Sequence, residues 1–163
     1  MDALLRHTPA LIVLACLAAL GTALLAQYVG GLPPCALCIW QRWAYGAAAA
    51  AGLAAMAARG RLRAALAALA GLALLAGAGI AAFHVGVEQK WWEGLSTCTG
   101  SVGAGLSLEE LRAAIEAAPM VRCDEVPWSL FGLSIAGYNV LASLALAAFA
   151  LAGGRRIAKE SRA

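Results

Sequence analysis

Four cysteines outside the apolar cores of the chain are the side chains best suited to chemistry. Cys35 and Cys38 stand in PPCALCIWQRW, residues 33–43, with Arg42 four positions after Cys38. Cys98 and Cys123 lie 25 positions apart in a later, more polar stretch. A Cys-x-x-Cys pair serves redox exchange, metal or haem binding, or a plain structural disulfide. A c-type haem site requires histidine directly after the second cysteine, and Ile39 stands there. Structural zinc usually draws on two close pairs, a spacing that Cys98 and Cys123 do not offer, so no metal is expected. A structural disulfide and a redox dithiol both remain, and the setting favours the second. Pro33 and Pro34 suit the start of a helix, which puts both cysteines at or near its first turn. Unpaired N–H groups and the positive end of the macrodipole favour an anion there, and a thiolate is one. Arg42 falls on the same helical face as Cys38, one turn deeper. Both effects lower thiol pKa values and activate the sulfur. Arg42 also fits an interfacial anchor beside Trp40 and Trp43, although an arginine inside a membrane helix is a functional candidate by default.

A membrane must position these groups. The chain has 163 residues, 63% hydrophobic and 13% charged, about half the charge of a soluble domain. Four apolar stretches run over 9–29, 43–58, 62–87 and 131–153, and a bilayer asks for roughly 20 residues per helix. The second reaches a full span when it is extended back through Cys38. The expected fold is all-α, an integral membrane four-helix bundle forming one domain over 1–163, with spans at about 9–29, 40–58, 64–86 and 131–152. Small residues at four-residue spacing, Gly71, Leu75 and Gly79 or Ala47, Ala51 and Ala55, offer faces for close helix approach; the abundance of alanine explains them equally well. The first apolar run exceeds a signal-peptide core of about 7–15 residues and is read as a span. Cys16, inside it, is expected to be an inert buried thiol.

Orientation follows from the basic residues, which accumulate in cytoplasmic segments. Arg6, Arg59, Arg61, Arg63, Arg155, Arg156, Lys159 and Arg162 share one side of a four-pass topology, eight in all. The other side holds four, with seven of the nine acidic residues. Both termini are therefore expected in the cytoplasm, and the loops at about 30–39 and 87–130 outside it. Those outward segments carry Cys35, Cys38, Cys98 and Cys123, on the side where disulfides persist. In the second loop, Trp91 and Trp92 fit the outer interface. Ser107 and Glu110 form a capping box with Leu106 and Leu111 as its staple, opening a short amphipathic helix that Pro119 ends. Arg122 favours a thiolate at Cys123 while Asp124 and Glu125 oppose it, so its reactivity is not readable. His84, near the outer end of the third span, either bonds a carbonyl or serves as a hydrogen-bond donor or proton conduit for a quinone. Glu88 and Gln89, one turn later, are weaker candidates for the same work.

The four-pass pattern, PCALCIWQR at the second helix, the two-cysteine second loop and WSLFGLS before the fourth helix together resemble the DsbB family of bacterial inner membranes. The resemblance runs over nearly the whole chain and implies a multi-pass membrane oxidoreductase that reoxidises a periplasmic DsbA-like dithiol oxidase and passes the electrons to a quinone, ubiquinone or menaquinone. Nucleic acid has no part in it. It further implies that the partner attacks a Cys98–Cys123 disulfide, forming a mixed disulfide at Cys98. Cys123 then attacks Cys35, and Cys38 is freed to face the quinone, with Arg42 helping to hold it. His84 carries over on position alone. The family's usual acidic residue before the arginine is Gln41 here, which puts a carboxylate role at that position in doubt. DsbA lies near −120 mV, and an ordinary structural disulfide below about −300 mV would be uphill by about 8 kcal/mol as its oxidant. At least one disulfide must therefore be strained, or its thiolate product stabilised. A non-enzymatic membrane scaffold with two structural disulfides is the alternative, and it has no need of Arg42 beneath Cys38.

Overall fold

A computed structural model describes residues 7–95, 107, 109 and 121–162. Four long helices account for most of them: α1 (Thr8–Tyr28), α2 (Ala36–Ala57), α3 (Gly60–Glu88) and α4 (Ile135–Glu160). Each begins or ends where local chemistry dictates. Pro9 opens α1, where its missing N–H costs nothing. Cys35 caps α2, its Sγ accepting the Cys38 N–H. The link between α2 and α3 is only residues 58–59, so these two helices are antiparallel neighbours. At the end of α3, Lys90 takes a positive φ of 59°. Its N–H donates to the Val87 carbonyl and that of Trp91 to the Gly86 carbonyl, the paired bonds of a Schellman stop. That turn folds Trp92 back onto α3. Its ring stacks on Phe83 at 5.7 Å, and its Nε1 donates to the Phe83 carbonyl.

The fourth helix starts later than the apolar run. Ser129–Leu130 (β1) and Leu133–Ser134 (β2) pair antiparallel, joined by Phe131 and Gly132 at φ values of 50° and 78°. Two central residues with positive φ suit a primed hairpin turn. The backbone groups of 129–134 are thus used in a hairpin, and α4 begins at Ile135 with Ser134 as its N-cap, accepting the Gly137 N–H.

Helix α3 is central, packing most extensively on α4 and then on α2, while α1 lies against α2. The mid-bundle core joins Ile12 and Cys16 of α1, Tyr45 and Ala48 of α2, Leu74 of α3, and Ala147 and Ala150 of α4. Cys16 is wholly buried there, as an inert thiol should be. Of the expected small-residue stripe, Gly71 meets a neighbour: a Cβ there would lie 2.8 Å from Leu151 Cγ. Gly79 faces open space, and Leu75 is exposed. Leucines cover the outside of the bundle, Leu14, Leu17, Leu25, Leu53 and Leu72 among them, as a lipid-facing surface requires. Helices α1, α3 and α4 are each long and apolar enough to cross a bilayer. Helix α2 is as long, with Gln41 and Arg42 interrupting its apolar run. The structure is a helical membrane bundle. The expected amphipathic helix of the second loop, like Cys98, falls outside the described residues.

Candidate redox site

At the end of the bundle where α1 finishes and α2 begins, a second cluster gathers Cys35, Leu37, Val87 and Cys123, with Cys38, Phe83, Leu95 and Val121 against it. Cys35 is 5% exposed and Cys123 fully buried, while Cys38 is half-buried. Cys35 and Cys38 are free thiols. The Cys35 thiol donates to Cys38 Sγ at 3.2 Å. Donating that hydrogen bond to Cys38, together with burial, pushes the Cys35 thiol up to about 12. Cys35 is thus the protonated member of the dithiol pair. Cys38 is the acceptor of the pair and the more accessible of the two.

His84 sits inside the cluster at 4% exposure. Its Nε2 lies 3.6 Å from Cys35 Sγ and 3.8 Å from Glu88 Oε1, and the side chain also bonds the Cys123 main chain. The sulfurs of Cys35 and Cys123 and a His84 ring nitrogen all lie within 4.8 Å of one another. A residue from the second loop, one from the start of α2 and one from α3 thus converge. Glu88 in turn accepts from the Ser134 hydroxyl at 2.5 Å, which ties α3 to the cap of α4.

Behind the sulfurs runs a buried polar chain. The Gln41 amide bonds His84 Nδ1 at 3.0 Å and accepts from the Asn139 amide. Asn139 Oδ1 accepts from the Tyr45 hydroxyl at 2.7 Å, and Ser143 bonds both. Gln41, Tyr45, Asn139 and Ser143 went unrecognised as a group in the sequence. The signal was present: Gln41 and Tyr45 are four apart on one helix, Asn139 and Ser143 four apart on another, and each pair therefore shares a helical face.

Arg42 has its hydrogen-bond partners on α1. Its guanidinium donates to Gln27 Oε1 at 2.6 Å and to the Ala23 carbonyl at 3.3 Å, so it closes the last turns of α1, where a cation is favoured. Arg122 forms a bidentate pair with Asp124, at 2.9 and 2.7 Å, and also reaches Glu125 at 3.4 Å. The hydrogen bond from Arg122 holds the half-buried Asp124 carboxyl below its usual range. The opposed charges around Cys123 largely engage one another. An open cleft of about 370 Å³ borders the cluster, lined by Val87, Lys90, Trp91, Trp92 and Asp124 among others. It shares Val87 with the cysteines; neither Cys38 nor Arg42 lines it.

A family model described as Disulfide bond formation protein DsbB matches residues 5–153. Several relatives bear the description Disulfide bond formation protein B. One from Polaromonas sp. (strain JS666 / ATCC BAA-500) is 34% identical over 164 residues, covering 98% of this chain and 96% of its own length. One from Xanthomonas axonopodis pv. citri (strain 306) is 32% identical over 157 residues, covering 91% and 89%. A third, from Aromatoleum aromaticum, is 34% identical over 143 residues, covering 83% and 84%. No solved structure matches. With a membrane bundle, three clustered cysteines and a family match over nearly its full length, the chain belongs to the DsbB family, membrane oxidoreductases of disulfide bond formation.

Proposed function

We propose that the chain is a thiol:quinone oxidoreductase of the bacterial inner membrane, with its cysteine loops in the periplasm, which reoxidises a DsbA-like dithiol oxidase. The observation that carries this is the convergence of Cys123 and Cys35 within 4.8 Å, with Cys38 3.2 Å further on. Such a line of sulfurs suits successive disulfide exchange. A thiolate of the partner opens a Cys98–Cys123 disulfide and becomes joined to Cys98. The freed Cys123 thiolate attacks Cys35 of a Cys35–Cys38 disulfide; the Cys35–Cys123 bond forms, the Cys35–Cys38 bond breaks, and Cys38 leaves with the electron pair. The second thiol of the partner then attacks the mixed disulfide, releasing the oxidised partner and Cys98 as a thiolate. Cys98 attacks Cys123, the Cys98–Cys123 bond re-forms, the Cys35–Cys123 bond breaks, and Cys35 and Cys38 are left as the dithiol that a quinone would reoxidise to its disulfide, taking two electrons and two protons. Thiol and disulfide exchange in this way through thiolate attack.

Half-burial of Cys38, with the exposed Trp40 and Trp43 nearby on α2, fits a sulfur that meets a lipid-soluble ring at the bilayer edge. A bound quinone would supply the two-electron acceptor, and Cys38 and Arg42, the latter anchored on α1, are the residues that would hold it. Both ring nitrogens of His84 are engaged within the bundle, so its part is to hold or move a proton between Cys35 and Glu88.

The test is anaerobic mixing of the purified protein with a reduced DsbA-like partner and a water-soluble quinone, with the quinone absorbance followed in time. Cys38→Ser is expected to bring the rate down to that of the uncatalysed mixture. Arg42→Ala is expected to raise the quinone KM more than it slows exchange with the partner. Unchanged turnover in Cys38→Ser overturns the scheme.

A further inference from the structure

Cys35, Cys123 and His84 have a second chemistry that disulfide exchange does not use. We infer that the reduced protein binds one thiophilic divalent ion of the zinc class through Cys35 Sγ, Cys123 Sγ and His84 Nε2, and that the ion holds the chain in its reduced state. The three donor atoms lie within 4.8 Å of one another. A tetrahedral ion with sulfur at about 2.3 Å and nitrogen at about 2.0–2.1 Å sets its ligands roughly 3.5–3.8 Å apart. The Cys35–His84 separation, 3.6 Å, already has that value. The others require a contraction of about 1 Å at most, within reach of side-chain rotation.

A fourth position has two occupants at hand. Cys38 Sγ is 3.2 Å from Cys35 Sγ, and Glu88 Oε1 is 3.8 Å from His84 Nε2. The surroundings complete the requirements. Two thiolates cancel the charge of a divalent ion, and a fourth ligand from Cys38 or Glu88 leaves the buried assembly with a single net negative charge. Outer partners that accept from the distal N–H of a histidine ligand orient it and raise its affinity. The Gln41 amide nitrogen lies on His84 Nδ1 and its oxygen accepts from Asn139, so ligation through Nε2 requires the Gln41 and Asn139 amides to turn over together: Gln41 Oε1 then accepts the Nδ1 proton, Asn139 Oδ1 accepts from Gln41, and the Tyr45 hydroxyl accepts from Asn139.

The balance is simple: two thiols and one divalent ion give a dithiolate complex and two protons. Redox state gates it, because a thiolate is a ligand and a sulfur held in a disulfide is a poor one. Joining Cys35 to Cys38, or Cys123 to any partner, removes a ligand. A bound ion conversely occupies the two sulfurs that exchange would need. Binding is read on the protein alone, so it stands or falls separately from quinone turnover.

The experiment uses the full chain in detergent micelles, reduced, freed of reductant without oxygen and titrated with cobalt(II). One equivalent is expected to produce thiolate-to-cobalt charge-transfer absorption and the intense visible bands of a tetrahedral site, with zinc displacing the cobalt. Protein oxidised with diamide before titration is expected to show neither. Cys123→Ser and His84→Asn should each weaken binding at least tenfold, whereas Cys16→Ser and Cys98→Ser leave it unchanged. A silent titration, bands that survive Cys123→Ser, or bands lost in Cys98→Ser overturn the assignment. Cadmium-113 NMR of the unaltered chain gives a check independent of any variant's folding. A resonance of two- or three-sulfur coordination supports the site, and a four-sulfur resonance refutes it.

Discussion

Cys35 keeps its proton far above neutrality because it is the donor of the dithiol pair and is buried. Its folded value, about 12, lies above the ordinary thiol value of 9.0. The folded state therefore holds the proton more tightly, and the associated stability is whole below about pH 9 and lost as pH climbs toward 12. The same sign governs reactivity. In the reduced protein, alkylation of Cys35 is expected to be slow at pH 7 and to rise about tenfold per pH unit from pH 8 to 11, followed by mass spectrometry of the modified peptide; a rate independent of pH contradicts the donor role. The dithiol and its place at a helix start were legible in the sequence, since proline and cysteine spacing are local facts. The partners of Arg42 and Gln41 were not, because they come from residues 15 to 98 positions away. Gln41 and Asn139 are expected to act as one unit. Each alanine substitution leaves a buried polar group unpaired, at a cost of about 1–3 kcal/mol. The double substitution should cost less than the sum of the two, by about 0.5–3 kcal/mol. Unfolding of the reduced protein in a single detergent measures all three variants, and strict additivity counts against the network.

At the scale of helices, close approach rather than apolarity decides which small residues matter. Gly71 faces Leu151 and the Ala147 carbonyl on α4, with 2.8 and 3.3 Å left for a Cβ. Gly79, two turns along the same helix, faces nothing within 4 Å. Gly71→Val is expected to force α3 and α4 apart and to destabilise by about 1–3 kcal/mol, as overpacking does. Gly79→Ala should be neutral or stabilising by up to about 1 kcal/mol, from helix propensity alone. Thermal unfolding of the two variants side by side checks this; equal losses would place both glycines at the interface. The spacing of these residues in the sequence could not separate them, because a four-residue period marks a face and not what covers it. The same limit hid the hairpin before α4. WSLFGLS reads as apolar and continuous with the span, and the positive φ of Phe131 has no signature in residue type. Ser134, by contrast, is a favoured N-cap residue, and it was available as the start signal for α4.

For the whole molecule, orientation is the property most directly encoded in composition, because it is a sum over charges and needs no knowledge of contacts. The bundle places the ends of α2 and α4 and the start of α3 away from the cysteine cluster, and eight of the twelve basic residues fall on that far side. Since lysine and arginine are retained in the cytoplasm during insertion, the cluster is expected to face the periplasm. The measurement uses a chain with its five native cysteines replaced by serine and one new cysteine added. A membrane-impermeant maleimide should label Val29→Cys in cells with a permeable outer membrane, and Ser161→Cys only after the inner membrane is opened; Val29 is 80% exposed, so access is no obstacle. The reverse pattern would put the sulfurs in the reducing cytosol, where disulfides do not persist. Replacing Arg59, Arg61 and Arg63 with glutamine lowers the basic count on the inner side from eight to five, against four outside. With so small an asymmetry left, a fraction of molecules should insert inverted and label at Ser161→Cys while the inner membrane is still closed. Labelling that stays fully one-sided would mean that packing among the helices, and not charge, sets the orientation.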